Sequence, residues 1–379
     1  MKRRPPLSLA PRRGSVLVVV LVTLLFAALL LTQLIETSGP DLIIAMRLAD
    51  RDRLRADAYG ALETTLAALE DFRVVDGGLY APTQGWSDPL GYAGYAPRAG
   101  VTVDVAFEDE SAKLSLPRLN LDTLNTLLVQ LGLSVPDAAR VADALFVWTH
   151  NGHIAAESAT SAEVYEQADP PAEPPYRSLR SFDELAGIAV ARDFFYEANG
   201  QPKPLLDAFK QAVSLYRFDA SNLNSAPDIV LLASGWDISQ SGALQKYLAT
   251  PVSATRTRPY LRSLREVRSQ VGNVSTRNLG AQVQVLRINV TARQGAAQLQ
   301  VSALVTWANQ ASLPASLAVS PENATAATAT QPAASSNGQA QPPAVPVNTA
   351  NSLRYPFTVL EILESTPSVT PPPPDAPAA

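Results

Sequence analysis

The apolar and polar positions of this chain change rhythm several times. From Gly14 to Ile35 the run GSVLVVVLVTLLFAALLLTQLI carries no charge until Glu36 and is almost entirely Leu, Val, Ala and Phe. About 20 such residues at ~1.5 Å rise span the ~30 Å hydrocarbon core of a bilayer. Beyond Pro40 the rhythm becomes that of an amphipathic helix. Ile43, Met46, Leu48, Leu54, Ala58, Leu62, Leu66 and Leu69 recur at three- and four-residue steps, with Arg47, Arg51, Asp52, Arg55 and Asp57 on the opposite face. Pro40 predicts a kink or a brief break, and Gly77-Gly78 a stop. The expectation is one long spine over 15–76, half in lipid and half packed on a soluble domain.

The next stretch, LYAPTQGWSDPLGYAGYAPRAG over 79–100, reads as a loop or as short strands with turns at Asp88-Pro89 and Pro97. Val101–Asp109 alternates apolar and polar residues, as a half-buried strand does. After Glu110 short helices are predicted. One starts at Asn120 and closes at Gly132, and a second runs from Pro136-Asp137 to Trp148. A third opens at a capping box formed by Ser181 and Glu184, and a fourth covers Pro204 to Leu215. The segment Asn222–Gly235 echoes Asn120–Gly132: both read N-L-(D/N)-(T/S), then an apolar helix, then Gly, so two related helical units are expected. Period two returns in Gln282–Thr291 and Ala297–Trp307, joined by a turn at Arg293-Gln294-Gly295, and again in Arg354–Glu364. Residues 309–351 are low-complexity Ala, Ser, Thr, Pro, Gln and Asn, and the end STPSVTPPPPDAPAA is Pro-rich, so disorder is expected in both.

These elements make an α+β protein: a long N-terminal helix packed on an antiparallel sheet, with a large helical domain inserted after the first strand. The expected divisions are a leader over 1–14, the spine over 15–76 and the first part of the sheet domain over 77–110. The helical insertion comes next over 111–270, then further strands over 271–308, a disordered loop over 309–352, a last strand over 353–364 and a tail over 365–379.

Charge and composition sharpen this. MKRRPPLSLAPRR carries Lys2, Arg3, Arg4, Arg12 and Arg13 and no acidic residue, which places the short N-terminal flank in the cytoplasm. In a bacterial cell, everything after Glu36 is then periplasmic, behind a single inner-membrane span. The net charge of -5 leaves the exported part without a basic nucleic-acid footprint. With no cysteine, disulfides and thiolate metal sites are excluded.

A cleavable secretory signal would have a shorter apolar core followed by a small-x-small site, which Leu30-Leu31-Thr32-Gln33 does not provide. A plain single-span anchor fits. The junction Arg12-Arg13-Gly14 before Ser15 resembles a type IV prepilin leader. That resemblance implies cutting between Gly14 and Ser15 by a prepilin peptidase, N-methylation of Ser15, and a mature helix that stays in the membrane through Val16, Val19 and Leu31. Most pilins and pseudopilins have Glu at the fifth mature position, where this chain has Val19.

Further motifs come in order: F-E-D-E-S-A-K-L-S-L (Phe107–Leu116), L-N-x-x-T-L-x-x-L-L with an LG turn, and A-L-F-V-W (Ala144–Trp148). After these come A-E-V-Y (Ala162–Tyr165), R-S-F-D-E-L ending at Leu185, and N-L-N-S-A-P (Asn222–Pro227). Behind this leader, and over most of residues 10–307, the set resembles the K-type minor pseudopilin of type II secretion, general secretion pathway protein K. The resemblance implies a pilin-like body with an inserted SAM-like, helix-hairpin-helix-like domain and a non-enzymatic role at the tip of the periplasmic pseudopilus. The implied partners are the I- and J-type minor pseudopilins, the major pseudopilin, the prepilin peptidase and the inner membrane. A tip subunit has no subunit ahead of it whose amine a fifth-position carboxylate would pair with. Val19 then avoids burying an unpaired carboxylate in lipid. Structures of the family are associated with bound calcium. Here the tryptophan is followed by Thr149-His150-Asn151-Gly152-His153 rather than an Asp-rich run. Calcium is therefore not carried over, and Glu157 and Glu163 remain as candidate oxygen donors.

Two other functional classes compete. His150, His153 and Glu157 have ligand types suited to a zinc hydrolase, but Gly152 interrupts them and the chain has no other histidine; a solvated loop is the better reading. Nor is there a G-x-S-x-G elbow. A membrane-anchored, competence-type DNA binder would use basic hairpins on phosphates. The stretches Leu131–Val135 and Ala233–Asp237 contain no Lys or Arg. A minor pilin of a type IV pilus machine is the alternative nearest to the first reading.

Overall fold

The computed structural model describes residues 15–168, 170–253, 256–295, 297–307, 311–312 and 356–365. The leader with Gly14, the tail and most of the low-complexity stretch lie outside the described residues. Helix α1 (Ser15–Asp76) runs on through Pro40, so of the kink or brief break expected there, the break does not occur. Proline removes one backbone donor and crowds one carbonyl a turn earlier, and one lost bond does not stop a helix 62 residues long. The helix ends where expected, at Gly77, whose φ of +74° suits a residue without a Cβ.

The region 79–100 forms no strands. It folds as a 3-10 turn (Pro82–Gln84) and a one-turn helix (Pro89–Tyr92) whose first turn is capped by the Asp88 side chain. Trp86 drives this compaction: it is fully buried and meets Phe107 edge-on at 4.9 Å, so the segment closes over the end of the helix–sheet core instead of extending.

Strands β1 (Thr102–Asp109), β2 (Leu286–Gln294), β3 (Ala297–Trp307) and β4 (Phe357–Ser365) form an antiparallel sheet in the order β1-β2-β3-β4. β2 begins later than period two suggested, because 282–285 is committed elsewhere: the Val283 N–H bonds to Leu79 O and Val285 O receives Ser111 N–H. Arg293 and Gln294 belong to the strand, with Gln294 paired to Ala297, and the chain turns at Gly295, whose φ is +57°. β3 and β4 pair with an irregularity between Val359 and Glu361.

Leu54, Ala58, Ala61, Leu62, Leu66 and Leu69 of α1 pack on the face of the sheet made by Ile288, Val290, Ala292, Val301, Ala303 and Val305. The strict alternation of β2 and the four-residue steps of α1 meet there as one core. Asp57, expected on the solvated face, is buried and holds Arg98 through two oxygens at 2.6–3.0 Å. Leu48, expected on the packed face, is 56 % exposed, because it lies short of the sheet.

The second core is helical. Helices α2 (Leu121–Gln130) and α3 (Val135–Thr149) form one hairpin, and α6 (Asp228–Ala233) and α7 (Ile238–Ala249) another. Between them lie α4 (Ala189–Phe195) and α5 (Pro204–Ala212), and α8 (Leu264–Val271) comes last. The echo between Asn120–Gly132 and Asn222–Gly235 is real in geometry, although its first residues do different work. Each hairpin turns through a glycine with positive φ, Gly132 at +102° and Gly235 at +91°. Each makes the same paired bonds: Gly132 N to Val129 O with Leu133 N to Leu128 O, and Gly235 N to Leu232 O with Trp236 N to Leu231 O. This is the Schellman closure of a helix C-terminus. A side-chain cap then starts each second helix, Ser134 in one and Asp237 in the other. Asn120 caps α2, but Asn222 sits in a two-residue bridge with Gly280, and α6 begins only after Pro227. The expected capping box at Ser181 is also corrected. Glu184 reaches the Arg180 N–H and Arg177 rather than the Ser181 N–H, and the segment is 3-10 helix, Phe182–Gly187. A full capping box occurs at Asp237 and Gln240 instead.

Candidate functional site

Functional geometry falls in three places: the apolar half of the spine, the seam between the two cores, and the loop holding both histidines. In the first, Val16–Gln33 is apolar and long enough to cross a bilayer, and none of it is buried within the protein. Val16, Val19 and Leu31 are all exposed. The hydroxyls of Thr23 and Thr32 donate to Val20 O and Ala28 O, so neither needs an outside partner, as lipid demands. Ser15 is the first described residue and opens α1.

At the lower end of the sheet the last strand is clipped to the spine. Glu364 accepts from Arg55 Nε and Tyr59 Oη, each at 2.8 Å. The Tyr59 hydrogen bond, with that of Arg55 behind it, holds the Glu364 carboxyl below the usual range.

The seam joins motifs that are far apart in sequence. Asp109, at the end of β1, is half-buried as a residue, but its carboxylate is enclosed. It accepts from Ser111 Oγ at 2.5 Å and from Asn222 Nδ2 at 2.7 Å, and Asn222 also donates to Tyr80 O at 2.8 Å. Burial pushes the Asp109 carboxyl up to about 6, against the pull of Ser111, Asn222 and Ser225. Asn224 donates to Leu261 O (2.9 Å) and Ala281 O (2.7 Å) and accepts from the Leu261 N–H (2.7 Å). The N-L-N-S-A-P motif is therefore a polar clasp between the helical core and the sheet, and the F-E-D-E-S-A-K motif is its counterpart.

Beside it, on the outer face of the sheet, Arg287 lies 3.4 Å from Glu110 and 3.7 Å from Glu361, and Lys113 pairs with Glu108 at 2.6 Å. Tyr216 Oη donates to Glu361 at 2.5 Å, and burial first, then this bond, raises its phenol. Phe218, Val285 and Leu304 make a small apolar contact at the same place. Sequence reasoning missed this seam. Its signal was the polar residues Asp109, Asn222 and Asn224 lying inside otherwise apolar motifs.

The two histidines are held by neighbouring side chains. His150 stacks on Phe146 at 4.6 Å with planes 9° apart, and Thr149 Oγ1 lies 2.9 Å from its Nδ1. Burial, then the neighbouring His153, lowers its pKa. His153 Nε2 lies 2.7 Å from Asp143 Oδ1. A carboxylate only accepts, so this ring nitrogen carries the proton. Asp143 Oδ2 also takes the Ala156 N–H at 2.9 Å and Thr160 Oγ1 at 2.5 Å. Burial works to raise the Asp143 carboxyl, but the bonds from Thr160, His153 and Ala156 outweigh it and leave it below its ordinary value. Glu157 meets Arg140 Nε at 3.2 Å. Glu163 lines the same open cavity of about 520 Å³ as His153 and Glu157.

Calcium requires six to eight oxygens, several of them carboxylate. Here Asp143 is taken by three donors and Glu157 by a guanidinium, and among the described residues no group of three His, Cys, Asp or Glu is placed to hold a metal. The residues do not fit a calcium site. Nor do the hairpin turns fit DNA: Leu131–Val135 and Ala233–Asp237, with the adjoining Ile238, present Val135 and Ile238 to solvent and no cation.

The class defined by these features is an α+β protein with, among the described residues, one helix long and apolar enough to cross a membrane, continuous with the spine of a four-stranded sheet that carries a helical insertion. No family model matches the chain, and no curated protein matches it. Among solved structures, it is similar to a chain of the crystal structure of the GspK-GspI-GspJ complex from the type 2 secretion system of enterotoxigenic Escherichia coli. The two are 13% identical, the match covers 71% of this chain and 96% of that one, and the TM-score is 0.47.

Proposed function

We propose that this chain is a non-enzymatic minor pseudopilin of the K type, working in type II secretion. The observation that carries the reading is the continuity of α1. One helix supplies both the exposed apolar span Val16–Gln33 and the packed face Leu54–Leu69 under the sheet, while the helical body enters after β1 and leaves before β2. Such a chain holds a bulky folded head at a fixed height above the membrane, with an apolar rod free to slide against other rods. In this reading Gly14–Ser15 is the cleavage point, Ser15 is N-methylated, and the body is periplasmic. Val19 and the large head suit the tip of the pseudopilus, above the I- and J-type subunits and the major pseudopilin.

Mass spectrometry of the mature N-terminus from cells holding a prepilin peptidase tests the first step: the expected first residue is N-methylated Ser15. An intact leader would leave only a membrane anchor. Site-specific crosslinking from α1 tests position. Crosslinks confined to other minor pseudopilins support the tip, whereas capture between two copies of the major pseudopilin excludes it.

A further inference from the structure

The loop after α3 is where calcium would be expected from the resemblance, and its chemistry points elsewhere. An Asp143 carboxylate buried at the base of the loop needs its lone pairs satisfied. It obtains them from His153 Nε2, the Ala156 N–H and Thr160 Oγ1. Those donors sit 10, 13 and 17 residues along the chain, so one side chain gathers the whole first half of the loop. The two imidazoles are built into the packing around Phe146. His150 lies flat on the ring, and His153 is tilted to it at 5.6 Å. Thr160 Oγ1 is also 2.9 Å from Glu157 O, and Arg140 neutralises the Glu157 carboxylate from α3. The contacts that a hard cation would make to Asp143 are made by protein donors, and Glu157 is paired with Arg140.

We propose that the 150–160 loop is a metal-independent staple, in which His153 and Arg140 do from within the chain what a divalent cation would do from without. Its order then depends on His153 and not on the calcium content of the surroundings. The staple concerns the loop alone and holds whether or not the chain assembles into a pseudopilus.

Hydrogen exchange on the detergent-solubilised full chain tests it, with millimolar calcium or with a chelator. Amides of 150–160 in the wild type are expected to exchange at the same rate in both. His153→Leu, which removes the donor, should speed them by about tenfold or more in both, and His153→Gln, which keeps an N–H near the same place, should restore most of the protection. The amides of α6 and α7 report whether the variants remain folded. Slower loop exchange in the wild type on adding calcium would overturn the proposal. So would a His153→Leu loop that exchanges like the wild type while α6 and α7 stay protected.

Discussion

Asp109 sets a quantitative test of the seam. In the folded chain its enclosed carboxyl titrates at about 6, whereas an unfolded Asp titrates near ~3.9. The folded state therefore holds a proton that the unfolded state has lost between pH ~4 and 6. Stability from this group is fully present below pH ~4, falls as pH rises through that window, and levels off above it. The full drop is about 3 kcal/mol, from 1.36 kcal/mol for each pH unit between the two values. Other carboxylates act in the opposite direction: hydrogen bonds hold the carboxyls of Asp143 and Glu364 low. The informative quantity is thus the difference between the wild type and Asp109→Asn. The amide stays neutral and accepts from Asn222, and Ser111 turns its hydroxyl to take the new N–H, so any offset from rearrangement is the same at every pH. Urea unfolding followed by tryptophan fluorescence should show the variant gaining on the wild type by up to about 3 kcal/mol between pH 4 and 7. A difference that stays flat across that range would refute the placement of the Asp109 carboxylate in the seam.

Three further outcomes are expected. Asn224→Leu leaves Leu261 O, Ala281 O and the Leu261 N–H without a partner, and should cost about 3 kcal/mol, read as a lower Tm. Trp86→Ala empties a fully buried site against Phe107 and should cost about 3–5 kcal/mol, with proteolysis appearing first in 79–100. Arg287→Met removes the guanidinium between Glu110 and Glu361, leaving Glu110 to Lys113 and Glu361 to Tyr216; a loss of about 1–2 kcal/mol and freer exchange of β4 amides are expected, and unchanged β4 exchange would count against the cluster as its anchor.

What the sequence made legible was local and periodic. The membrane-length run, the amphipathic continuation of α1, the alternation of β1, β2 and β3, and the glycines that end α1, α2 and α6 all depend on spacing within about one turn or one strand. The illegible part depends on meetings at a distance. Asp109 and Asn222 are 113 positions apart, and nothing within either motif says which polar residue will face inward. Asp57 looked like part of a solvated stripe because its partner, Arg98, lies on another element. The break at Pro40 and the capping box at Ser181 failed for a different reason: each signal names a preference worth about one hydrogen bond, and a long helix or a nearby Arg177–Glu184 pair outweighs it. At the histidines, the residue types already favoured a loop over a metal site, and the geometry adds which protein donors take the lone pairs of Asp143.

The pairing of Asp109 with Leu286 fixes where the helical body joins the sheet. The chain leaves the sheet at one end of β1 and re-enters it on the neighbouring strand, directly opposite. The whole helical body is therefore a graft set into what would otherwise be a hairpin turn. Joining 109 to 286 through a short turn would close an ordinary four-stranded meander on α1 without moving a strand.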